Sequence, residues 1–95
     1  MISRELTIND SAWTDVSDDG GAIVSVFLPG TGGGSDISVH ISVQDGVDNC
    51  SFGNSFVLSK ELPVATGIVI AGTEAVYARL ADSSAVGRGQ VVVLS

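Results

Sequence analysis

The sequence predicts a small all-β domain, an antiparallel β-sandwich or barrel of about eight short strands, with residues 1–95 forming a single unit. Three observations carry this. Short β-branched runs alternate with Gly, Asp, Asn and Ser, and no segment holds a helical period. Strands recur about every 8 to 12 residues with turn chemistry between them, the signature of a sandwich or barrel. The length of 95 residues leaves no room for a second independent core.

Taken in order, the first strand is expected over Arg4 to Ile8, with Asn9-Asp10-Ser11 as a polar break before Trp13 to Val16. Asp18-Asp19-Gly20-Gly21 signals a turn. Ala22 to Leu28 follows and is stopped by Pro29, which cannot donate to a ladder. The run Gly30-Thr31-Gly32-Gly33-Gly34-Ser35 reads as a flexible hairpin tip. Ile37, Val39, Ile41 and Val43 then alternate with Ser38, His40, Ser42 and Gln44, the cleanest period-2 stretch in the chain. That register points the four aliphatics inward, against Val24, Val26, Val76, Ala78 and Leu80, and turns His40 outward. Asp45-Gly46 ends the strand, and Val47 to Asn54 reads as a loop delivering Cys50 and Phe52. Phe56-Val57-Leu58 is a short strand, Leu62-Pro63-Val64 opens an extended edge piece, and Gly67 to Ile70 pairs briefly. Glu74 to Ala81 alternates again, and Gln90 to Leu94 closes the chain.

Four basic against eleven acidic residues leave a formal net charge of -7. Backbone tracking along nucleic acid requires clustered cations, and Arg4, Lys60, Arg79 and Arg88 are scattered. Nucleic acid and anionic membranes are therefore not expected partners. High hydrophobic content with few charges instead predicts apolar surface available to another protein. Cys50 is the single cysteine, so no internal disulfide and no site of paired cysteines can form. A reducing compartment and cytoplasmic synthesis are the matching expectations.

Catalytic chemistry finds little to work with. His40 is the only histidine and sits among serines on the polar side of a strand, where a contact role is the simpler reading. Cys50 and His40 form a nominal Cys/His pair without an accompanying motif. The glycine run lacks the Lys-Ser/Thr pair of a phosphate-binding loop and has no βαβ unit behind it. Two acidic clusters, Asp15 with Asp18 and Asp19, and Asp45 with Asp48 and Asn49, lack the ligand spacing of a helix-loop-helix calcium site and suit turns. No catalytic, cofactor or metal residue is assigned.

Several segments together resemble small β-sandwich virion proteins of tailed bacteriophages. They are Ala12-Trp13-Thr14-Asp15-Val16, Val39-His40-Ile41, Leu62-Pro63-Val64, Val76-Tyr77-Ala78-Arg79 and the closing valine strand. The resemblance implies a non-enzymatic capsid decoration (cement) protein on the outer head surface, bound to the major capsid protein and to copies of itself, as a trimer or another symmetric cluster. A tail-associated or fibre-base module that recognises protein or glycan is the alternative. Trp13, Phe27, Phe52 and Tyr77 are the candidate interface anchors, although each fits a core position equally well.

Overall fold

The computed structural model describes residues 3–17, 23–28, 38–59, 62, 64–70, 72–81 and 90–94. The turn expected at 18–21, the glycine run 30–35 and Ile37 lie outside them. Eight strands form: β1 (Ser3–Thr7), β2 (Thr14–Asp15), β3 (Ile23–Phe27), β4 (Val39–Gln44), β5 (Phe56–Leu58), β6 (Val64–Val69), β7 (Ala75–Leu80) and β8 (Gln90–Leu94). They make two four-stranded sheets, β1-β8-β3-β6 and β2-β7-β4-β5, with antiparallel pairing throughout.

The pairing follows a mirror rule about the middle of the chain. Ser3 lies opposite Leu94, Thr14 opposite Ala78, Ile23 opposite Val69, and Val39 opposite Leu58. The chain is thus one long antiparallel ribbon doubled back between β4 and β5. Rolling that ribbon sets β3 against β8 and β4 against β7. Eight strands rolled in this way are a jelly roll, a two-sheet arrangement. It is a sandwich and not a closed barrel: among the described residues, no ladder joins the edge strands β1 and β6 to β2 and β5.

The alternation read from the sequence decides what lies between the sheets. Val24 and Val26 from β3, Val39 and Ile41 from β4, Val76, Ala78 and Leu80 from β7, and Val91 and Val93 from β8 are all buried. Ile8, Val16, Leu28 and Leu58 complete the core, and Val43 packs half-buried at its margin. Each fully buried Val, Leu or Ile contributes about 1.5–3 kcal/mol through removal of apolar surface from water. This core is wholly aliphatic. None of the five aromatic side chains is buried.

Two expectations need correction. The piece beginning near Leu62 and the brief pairing after Gly67 are one strand, β6, running unbroken along β3. Val24 pairs with Ile68 and Val26 with Ala65, so β6 carries one extra residue there. Gly67 absorbs it at φ 69, a left-handed backbone that side-chain-bearing residues rarely adopt, and its N–H is held by Ser25 Oγ at 3.3 Å. The glycine expected to open a separate short piece is a bulge within one strand. Pairing in β2 is also shorter than Trp13 to Val16, which leaves Trp13 before the strand, free to turn onto the outer surface.

Candidate functional site

The outer surface of β2-β7-β4-β5 gathers the chemically distinctive side chains. Directly paired residues share a face, so Tyr77 lies beside Ser42 and Asp15, and Arg79 beside His40, all on the side away from the core. Across this face runs the connection between β4 and β5. It folds into two short 3-10 turns, Val47–Asn49 and Phe52–Asn54, instead of projecting into solvent.

Asn54 fastens the connection. Its Oδ1 accepts from the Ser51 N–H at 3.0 Å and from Ser42 Oγ at 2.8 Å, while its Nδ2 donates to Asn49 O at 2.8 Å. Ser42, which alternation assigns to a water-facing position, is thereby buried and satisfied. Ser55 Oγ donates to Phe52 O at 2.9 Å, so its oxygen is left to accept from His40 Nδ1 at 2.8 Å. The His40 ring is consequently the Nδ1–H tautomer when neutral. Burial lowers its pKa from the usual histidine value.

Phe52 is held over the sheet by these bonds. Its ring centroid lies 4.5 Å from that of His40 in an edge-on arrangement, and 5.6 Å from that of Trp13 at an interplanar angle of 47°. The Arg79 guanidinium carbon lies 4.9 Å from the same centroid, and Arg79 Nε donates to Asp10 O at 2.7 Å. Arg79 therefore ties the β1–β2 connection to the aromatic cluster. That connection is itself closed by Asn9 Oδ1, which accepts from the N–H groups of Ser11 and Ala12. Phe52 remains 47% exposed. The cluster is a fixed aromatic surface and not a core fragment.

Cys50 lies half-buried beside this cluster as a free thiol. Burial pushes its pKa up, partly offset by a hydrogen bond with Ser42. Tyr77 is raised first by burial and then by the neighbouring Asp15 and Cys50. Both shifts favour neutral side chains, and a raised thiol is the opposite of an activated nucleophile. Comparison with family models, curated proteins and solved structures found no match.

Of the four candidate anchors, Trp13, Phe52 and Tyr77 share this outer face, whereas Phe27 does not. Phe27 pairs with Val92 and Val64 on the outer side of the other sheet. His40 and Arg79 complete the cluster and were not among the candidates. Their place under Phe52 depends on how the connection folds, and no local pattern encodes that. Asp15 closes a turn by accepting from the Ser17 N–H at 2.9 Å and Ser17 Oγ at 2.7 Å. Among the described residues, no group of His, Cys, Asp and Glu is arranged to hold a metal.

Proposed function

We propose that this chain is a structural binding protein of a phage particle, a decoration protein that attaches to the outside of the head through the Trp13–Phe52–Tyr77 face. The observation that carries this reading is the placement of the aromatics. In a domain with an aliphatic core, all five lie at the surface, and three share a face pinned by hydrogen bonds. Aromatic and arginine side chains held rigid before contact are what protein interfaces use as anchors, because little conformational entropy is lost on binding. Asp10, Asp15 and Asp48 lie on this sheet or its connections and offer a negative rim to a basic partner surface. The jelly roll adds a fold-level analogy, since viral capsid domains use it, as lectins do.

The test uses particles assembled without the protein. Purified chain should bind assembled heads and raise the temperature at which they release DNA, and Phe52→Ala or Trp13→Ala should abolish the effect while the domain stays folded. Identical release curves with and without the protein would remove the decoration reading. Labelling confined to the tail would favour the tail-module alternative.

A further inference from the structure

Arg79 is held in place by only a small part of its guanidinium. Its Nε donates to Asp10 O at 2.7 Å, and its guanidinium carbon stands 4.9 Å from the centroid of the Phe52 ring. Among the described residues, neither terminal Nη group has a hydrogen-bond or ion-pair partner, although the chain carries eleven acidic residues. Asp10 itself answers with its backbone carbonyl and not with its carboxylate. The side chain is fixed and its outer donors are unused.

Its neighbours decide what those donors can take. Arg79 lies opposite His40 across β4 and β7, and Trp13 precedes Thr14, whose partner Ala78 precedes Arg79. Phe52 thus has Arg79, His40 and Trp13 around one ring. A guanidinium pinned at Nε and packed on a ring has already lost its rotamer freedom, and its planar fork matches the two oxygens of a carboxylate. An exposed ion pair counts for little, but one closed off from water between aromatic side chains is strengthened. Those apolar walls call for an apolar group beside the carboxylate. Asp10, Asp15 and Asp48, on this sheet or its connections, disfavour an anion that carries several charges.

We infer that Arg79, Phe52 and Trp13 form a site for a single carboxylate, an Asp or Glu side chain of the partner protein with apolar neighbours. The acidic rim then meets basic residues around that carboxylate. The inference rests on the reading of this face as the contact surface, and it names the chemistry at the centre of the contact.

The experiment follows the Trp13 indole N–H and the Arg79 Nε–H by NMR in the full chain, with benzoate as the probe. Fixed ionic strength and about pH 7 keep His40 neutral, because burial lowers its pKa. Saturable shifts are expected with a Kd on the order of 10 mM, in keeping with the size of the probe. Benzamide, which has the ring without the charge, should bind at least about tenfold more weakly. Arg79→Gln should weaken benzoate binding at least about tenfold, and Arg79→Lys, which keeps the charge without the fork, should weaken it several-fold. Should Arg79→Gln fail to fold, Arg79→Lys decides. Equal binding of benzoate and benzamide, tighter binding of inorganic phosphate or glucuronate, unchanged affinity in the variants, or no saturable shift by about 100 mM would each overturn the inference. Attachment to heads separates this inference from the reading beneath it. Loss of attachment in Phe52→Ala but not in Arg79→Gln would overturn the carboxylate site alone, whereas benzoate binding by a chain that ignores heads would support the site and remove the head as its partner.

Discussion

The two outer faces share one backbone plan, four antiparallel strands with the core behind, yet they end in opposite states. On the second sheet the central outward residues, His40 and Ser42, are polar and could have stayed in water. The chain's own β4–β5 connection covers them instead and satisfies their hydrogen bonds. On the first sheet the outward residues include Ile23, Phe27, Val64 and Val69, and Ile23 and Val69 stand well out into solvent. An isolated monomer would gain more from the reverse arrangement. The difference teaches that the covering loop fixes a surface on the second sheet, while the first sheet leaves Ile23, Val64 and Val69 in contact with water.

The most severe way to break the comparison is to remove what both faces stand on. Ile41 is fully buried, and Ile41→Asp places a carboxylate without a partner between the sheets. A loss of more than about 4 kcal/mol is expected, seen as loss of the cooperative thermal transition.

Asn54→Ala should separate the faces. It removes three hydrogen bonds and leaves the buried Ser42 hydroxyl without its carboxamide partner, at a cost of about 2 kcal/mol. Trp13 is the only tryptophan, so its emission should shift to the red as Phe52 leaves it. The thermal transition should stay cooperative, since the core and the first sheet are untouched, and a broadened transition would show that the faces are coupled.

A smaller effect is expected from pH. Because burial lowers the His40 pKa, the unfolded chain binds more protons than the folded one once pH falls below the usual histidine value of 6.5. The His40 contribution to stability is therefore intact above that value and is lost as pH falls through the lowered folded pKa. His40→Gln should flatten the difference in melting temperature between pH 7 and pH 5 relative to the parent. An equal slope in both proteins would mean that the ring is not desolvated by Phe52.

The mildest change is Cys50→Ser, with an expected effect within about 0.5 kcal/mol, since a hydroxyl can take over both the contact with Gly46 O and the hydrogen bond with Ser42. Reaction of the parent thiol with a soluble disulfide should be slow and should accelerate in Asn54→Ala. Rapid reaction in the parent would place the loop off the sheet.

What could be read from the sequence was whatever depends on alternation. Every strand but β6 was recoverable as one piece, and where the period of two is clean it also assigns the faces, as Val39, Ile41, Val76 and Leu80 demonstrate. β6 was split in two because a glycine that opens a strand and one that bulges within it read alike. Ser42 misled because alternation reports which way a side chain points and not what lands on it. The aromatics stayed undecided between core and surface, since that choice depends on whether Val, Ile and Leu suffice to fill the interior. They do here. The partner of each strand was beyond reach, because the mirror pairing is a global property carried by no single segment.

That mirror pairing also dictates when each part of the molecule can exist. The shortest closure is between β4 and β5, and every later ladder joins segments farther apart, ending with β1 on β8. Folding should therefore zip outward from the middle of the chain, slowly, because most pairings require a large loop to close before any contact rewards it. During synthesis β1 emerges first and waits longest, unpaired until the last strand has left the ribosome. The net charge of -7 matters most in that interval, when a strand edge stands open and like-charge repulsion keeps other chains from pairing with it.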